Sequence, residues 1–272
     1  MNPDGAIDRC AVENSPYDRG PFVVAGDWHG NLGWAIATIR SAAREGVSTL
    51  LHVGDFALDW PGALRGRYES RLNKYLQEFE MTLILSGGNH DNWDTLDRLS
   101  VEEDGLATFR SNIRILPRGG RTQISSLVVG ALGGAFSVDQ DHRSEGKDWW
   151  RNEEPTPEEA QRLIASGPVD ILITHDAPAG VSLKSELQLP PDVVCRADRT
   201  RALLRDVVDA LAPPNVFCGH WHQRRIQELT HPDGRVSRVD VLDKEHSRVG
   251  NAVLVWPGKA PLRIEPLYVR GI

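Results

Sequence analysis

Cysteine is scarce in this chain: Cys10, Cys195 and Cys218 are the only three among 272 residues. They form neither a zinc-finger spacing nor a paired redox motif, and a sparse, odd set fits a reducing cytoplasm. Long hydrophobic runs are also missing; none approaches the ~20 residues of a membrane span. Residues 1–20 lack the basic-then-apolar order of a signal peptide and carry Asp4, Asp8, Glu13 and Asp18 instead. They read as a loose N-terminal arm ahead of a single domain over 21–272, and the expected location is cytoplasmic with no membrane partner. Positive charge is in deficit, with a net charge of −7 and a pI near 5.7. No nucleic-acid footprint is indicated at the level of totals. Bound divalent cations would reverse the sign of an acidic site, so a local one stays open. Internal repeats and low-complexity stretches are absent.

What is present is enough apolar material, 40% of residues, for one sizeable α/β core. Phe22–Ala25, Thr49–Val53 and Met81–Leu85 read as buried strands. Leu32–Arg44, ended by Gly46, and residues 66–80 have helical spacing. This strand–helix rhythm predicts parallel pairing with right-handed crossovers. Further along, Ile113–Leu116, Ser126–Gly130, Val169–Thr174 and Asn215–Cys218 read as strands. Helices are expected at 156–166, opened by Thr156 with Pro157 in its first turn, and at 199–211. Residues 133–155 and 177–197 read as irregular candidate substrate loops. The tail, 223–272, reads as a β-meander.

Five polar clusters follow apolar runs: Gly26–Asn31, Gly54–Asp55, Gly88–Asp91, Thr174–Asp176 and Gly219–His222. Ligands in open α/β sheets gather at the carboxyl ends of strands, where these clusters fall. Asp27 and His29 are two apart, so on an extended strand end they point the same way and grip one ion. His220 and His222 repeat that spacing, although a tight turn would send them to different ions. Asp55 has two oxygens with which to bridge; Asn89 offers an amide oxygen and His175 an imidazole nitrogen. Seven such ligands without thiolates suggest a dinuclear catalytic site whose natural electrophile is phosphorus. The mixed O/N set suits manganese or iron, with zinc and nickel also accommodated.

In this order the clusters resemble the calcineurin-like metallophosphoesterase superfamily, over roughly residues 22–223: D-x-H, G-D, G-N-H-D/E, H and G-H-x-H. The resemblance implies a sandwich of two mixed sheets flanked by helices. It implies one ion held by Asp27, His29, Asp55 and His222, and another by Asp55, Asn89, His175 and His220. A metal-bridging hydroxide would attack a phosphate ester in line. His90 would face the substrate and protonate the leaving group, and Asp91 would orient His90 and raise its pKa. Gly54-Asp55-Phe56-Ala57-Leu58 lacks the D-R-G or N-R-G run of protein phosphatases and the tyrosine of purple acid phosphatases. That absence favours phosphodiesters or nucleotides. The alternatives are a nuclease on DNA or RNA, a phosphomonoesterase or protein phosphatase, and a non-catalytic scaffold.

Asn31, Arg143, Trp149 and Trp150 are candidate substrate residues. The two tryptophans either stack on a base or pin their loop to the core, and Arg143 and Arg151 would hold phosphate. His52 reads as a hydrogen-bonded core histidine. His142, His231 and His246, like the arginines at 110, 114, 118 and 121, read as solvated. Asp59 reads as a turn residue near a ligand. Trp28 and Trp221 read as packing that points away from the metals.

Overall fold

The computed structural model describes residues 20–185, 187–258 and 261–271; the expected arm over 1–20 lies almost wholly outside them. Sequence runs buried on both faces become the central strands of two sheets, as continuous apolar stretches should. The first sheet takes β1 (Phe22–Ala25), β2 (Thr49–His52), β3 (Thr82–Leu85), β4 (Ala107–Arg110) and β5 (Ile113–Ile115), and is completed from the tail. The second takes β6 (Gly120–Ile124), β7 (Leu127–Leu132), β8 (Ile171–Thr174), β9 (Asn215–Cys218), β10 (Arg225–Thr230) and β11 (Val236–Val241). With β12 (Ala252–Trp256) and β13 (Arg263–Pro266), the orders are β13-β12-β1-β2-β3-β5-β4 and β10-β11-β9-β8-β7-β6. The strands β1, β2, β3 and β5 run parallel, as do β7, β8, β9 and β11.

Alternation along each strand divides the core into three layers. Val23 and Ala25 face α1 (Leu32–Arg44), α2 (Arg67–Glu78) and the short α3 (Trp93–Leu96). Phe22 and Val24 face the other way and meet Val129, Ile171, Ile173 and Phe217 of the second sheet. That sheet's outer face, with Leu172 and Val216, is covered by α4 (Pro157–Ala165) and α5 (Pro191–Leu211). The result is the α/β fold of two mixed sheets flanked by helices, and it turns the carboxyl ends of both parallel sets toward one edge.

Asn31 is the N-cap of α1, its side-chain oxygen accepting from Trp34 N at 3.0 Å. Thr156 and Glu159 form a reciprocal capping box at α4. Three expectations fail here. The helix after the second loop begins at Pro191, not 199. Proline is tolerated where no intrahelical N–H is needed, so Pro190-Pro191 opens the helix rather than breaking it. The irregular loop therefore shortens to 177–190. The tail is not one meander: β10 and β11 join the second sheet, while β12 and β13 pair onto β1 in the first.

Arg118 is not solvated. Its guanidinium lies 3.7 Å from the Trp93 ring centroid and donates to the carbonyls of Glu154 and Asn152 at 2.6 and 2.9 Å. His231 is likewise buried, 2.8 Å from Asp209 Oδ1 and 2.7 Å from Ser237 Oγ.

Candidate metal centre

Each cluster lies in the loop immediately after a strand. Asp27 follows β1, Asp55 follows β2, Asn89 follows β3, His175 follows β8 and His220 follows β9. These five loops, three from one sheet and two from the other, meet at the shared edge. Asp27, His29, Asp55 and His222 offer ligand atoms within 4.8 Å of one another, and so do Asp55, His175 and His220. Asn89 Oδ1 joins the second group, 3.1 Å from His175 Nε2. Asp55 belongs to both groups through different oxygens. Its Oδ2 is 3.3 Å from His29 Nε2 and its Oδ1 is 3.1 Å from His175 Nε2.

The local geometry differs from an extended strand end. His29 has φ +43°, so a turn, not strand alternation, brings it alongside Asp27. His220 and His222 have φ +66° and +51°, and that tight turn sends them to different groups. Glycines make room for the close approach. A Cβ on Gly54 would lie 2.5 Å from His175 Nδ1, and one on Gly88 would lie 2.5 Å from Asp55 Oδ1.

Electrostatics fits a cation between these groups. Asp27 is fully buried, and its Oδ1 has no hydrogen-bond partner. Burial pushes its pKa up to about 7, with the Asp55 charge adding to the rise. Burial works against protonation of His175 and His29, yet the Asp55 and Asp27 carboxylates, with the hydrogen bonds to Val53 O and Glu245, together outweigh it and raise them to about 10 and about 9. Protons are thus drawn to the positions facing the carboxylates. Carboxylate, amide and imidazole donors without a thiolate match hard or borderline divalent ions.

His90 lies on the open side of this cluster. Its ring is 5.4 Å from His29, centroid to centroid, and stacks 6.1 Å from Trp60. Burial lowers its pKa to about 4, helped by the nearby Arg143 charge. Asp91 does not orient this ring. Its carboxylate accepts instead from the backbone amides of Leu58 at 2.8 Å, Gly88 at 2.7 Å and Phe56 at 3.4 Å. The group against His90 is Arg143, whose Nη2 is 2.9 Å from His90 Nε2 and which is anchored by Asp139 at 2.9 Å.

The other substrate candidates separate. Trp150 is buried in the first core layer against Trp60, so its ring pins the loop rather than offering a stacking face. Trp149 is half-buried beside Glu153. Asn31 is spent on its helix cap and on His246, 3.2 Å away. Arg151 pairs with Glu145 on the surface at 2.9 Å. Trp28 and Trp221 direct their indole N–H groups to Asn251 and Asp176, at 3.2 and 2.7 Å. His52 is buried, and its Nδ1 accepts from Gly54 N at 3.2 Å. Asp59 holds Arg65 and Thr95 at 2.6 Å each.

Sequence reasoning missed the groups behind the ligands. Ser137 Oγ accepts from Asn89 Nδ2 at 3.0 Å and donates to the buried Glu153 at 2.8 Å. Glu245 Oε2 is 2.8 Å from His29 Nδ1. No local pattern marks these residues, because each acts on a partner far away in the chain.

A fold of two mixed sheets with carboxylates and histidines converging at strand ends defines an α/β scaffold with a candidate metal centre. The model of the calcineurin-like phosphoesterase family matches residues 20–224, and the chain belongs to that family. No curated protein matches it in sequence. Among solved structures, TT1561 of Thermus thermophilus is similar over 93% of this chain and all of its own, at 14% identity and a TM-score of 0.54, a likeness of fold. An archaeal phosphodiesterase is similar over 91% of this chain and 99% of its own, also at 14% identity, but with a TM-score of 0.43 that bears on neither fold nor activity.

Proposed function

We propose that this chain is a phosphoesterase working with two divalent ions, one held by Asp27, His29, Asp55 and His222 and the other by Asp55, Asn89, His175 and His220. The observation that carries the reading is Asp55, whose two oxygens face different histidines in different ligand groups. Ions bound there would lower the pKa of water and neutralise the oxygens of an in-line displacement at phosphorus; manganese or iron suits the donor set best.

The chain's own residues do the rest. Asp27 and Asp55, both buried, fix the negative charge that faces the ions. His90, beside the cluster, hydrogen-bonds the phosphoryl group; its pKa is lowered to about 4 in the free site, so it passes a proton to the departing oxygen once the substrate's negative charge has drawn that proton to the ring. Arg143, held by Asp139, keeps a positive charge beside His90 that favours the negative phosphoryl group. The substrates are phosphodiesters or nucleotides, in keeping with the missing phosphatase run after Asp55, and the enzyme works in the cytoplasm.

The test compares bis-(p-nitrophenyl) phosphate with p-nitrophenyl phosphate across manganese, nickel, zinc and magnesium, for the wild type and His90→Ala. The wild type should favour the diester. The variant should lose ~100-fold or more in turnover while retaining two ions per chain. Loss of the ions from His90→Ala would remove that residue from its assigned role. Inactivity of the wild type on both esters with manganese would sink the hydrolase reading.

A further inference from the structure

The family model ends at residue 224, yet the tail reaches back into the centre at residues 243–251. Glu245 touches it twice. Its backbone N–H donates to the Asp27 carbonyl at 2.8 Å. Its carboxylate Oε2 lies 2.8 Å from His29 Nδ1, while His29 Nε2 faces Asp55. Both side chains are largely enclosed, 17% and 22% exposed.

We infer that Glu245 is a positioning residue for the cation held by Asp27, His29, Asp55 and His222; the inference rests on the two-ion reading above. A carboxylate on Nδ1 keeps the proton on that nitrogen, leaves the Nε2 lone pair for a cation and makes the imidazole a stronger donor. His29 lies in a turn after β1, with φ +43°, and Glu245 on Nδ1 opposite Asp55 on Nε2 fixes the ring between two carboxylates. The contrast with the other group is built in. His175 Nδ1 meets a neutral backbone oxygen, Val53 O, at 2.9 Å. The carboxylate behind His29 thus has no counterpart behind His175, and Glu245 touches the first group alone.

The experiment titrates manganese alone into chelator-stripped wild type, Glu245→Gln and Glu245→Ala by calorimetry, with metal content per chain measured after dialysis. Melts of the stripped proteins check folding. Glu245→Ala should weaken one class of site ~10–100-fold and leave the other within about twofold. Glu245→Gln, which keeps an acceptor but loses the charge, should fall between. In a His29→Ala background, Glu245→Ala should add nothing. Unchanged affinities, or equal weakening of both classes, would overturn the inference. A wild type that takes up one ion defeats the two-ion reading, and Glu245 is then judged on whether that single affinity drops. A wild type that takes up none defeats both.

Discussion

Gly219 follows β9 and precedes His220, and its backbone N–H donates to His175 O at 2.9 Å. A Cβ built on it would lie 2.1 Å from Asp27 Oδ1, 3.0 Å from Asp27 Cγ and 3.1 Å from Val53 Cγ2. Ordinary contact begins near 3.4 Å, so Gly219→Ala asks the carboxylate to retreat by roughly 1 Å. Asp27 has little freedom to do so. Its Oδ2 accepts from His220 N at 2.9 Å and its carbonyl accepts from Glu245 N at 2.8 Å. If the carboxylate turns away, the ligand group around it is misplaced, and an error of this size costs ~100-fold in turnover. If the loop yields instead, overpacking costs about 1–3 kcal/mol of stability. The assay follows manganese content, diester turnover and thermal midpoint for Gly219→Ala beside Gly258→Ala, whose Cβ would meet nothing within 4 Å. We expect the first variant to lose metal and at least tenfold in turnover, and the second to match wild type. A Gly219→Ala protein with full metal content and turnover within twofold of wild type would refute the steric argument.

Glu153 gives the pH dependence. Burial pushes its pKa up to about 7 from 4.5, against hydrogen bonds from Ser137. The folded state therefore holds the proton more tightly. The stabilisation is complete below pH 4.5 and is lost as pH rises through 7, about 3 kcal/mol in all. Glu153→Gln should flatten urea-derived stability between pH 4.5 and 7; an unchanged slope there would count against this cause. Asn251 Oδ1 accepts from the indoles of Trp28 and Trp34 at 3.2 and 2.7 Å. Asn251→Ala strands two buried donors and should cost about 2–5 kcal/mol in urea denaturation, a loss under ~1 kcal/mol being inconsistent with it. Arg118→Met should cost about 3–5 kcal/mol, because Glu159, 3.2 Å from Arg118 Nε, and two carbonyls lose their partner. It should also speed proteolysis within 143–155, and a resistant loop would show that Arg118 does not anchor it.

The strands and the polar clusters that meet at their ends were legible because their signals are local. Short runs of two to four consecutive apolar residues mark β1, β2, β3, β8 and β9, and each ends at a polar cluster. What stayed hidden depends on chain partners far apart. Glu245 and His29 are 216 residues apart, and Asn251 and Trp34 are 217 apart. The start of α5 was hidden for another reason. Its buried positions begin only at Thr200, so the first turns carry no apolar period and the prolines dominate the reading. Arg118 was misread because its neighbours looked like an alternating polar face. Its guanidinium is instead accommodated by an aromatic ring and two carbonyls, a combination that no single stretch of sequence displays.

Asp91 shows how the ligand loops hold one another. His29, Asp55, His220 and His222 all have positive φ, as do Ala57 and Asp59 just after Asp55. Left-handed backbone at non-glycine residues costs about 1–2 kcal/mol each, so these loops would relax if left alone. They are held by bonds to one another. Trp28 N and His29 N donate to Asp55 O at 3.1 and 2.8 Å, tying the first loop to the second. Asp91 accepts from Phe56, Leu58 and Gly88, tying the second loop to the third. His90 N donates to Asp55 Oδ1 at 2.8 Å, closing that link. Asp91 thus bears on His90 through the loop that carries it, by its bond to Gly88 N, not through the ring. The motif aspartate and the strained residues of the two Asp/His groups are parts of one requirement, because the geometry that brings these groups together is one the separate loops would not adopt.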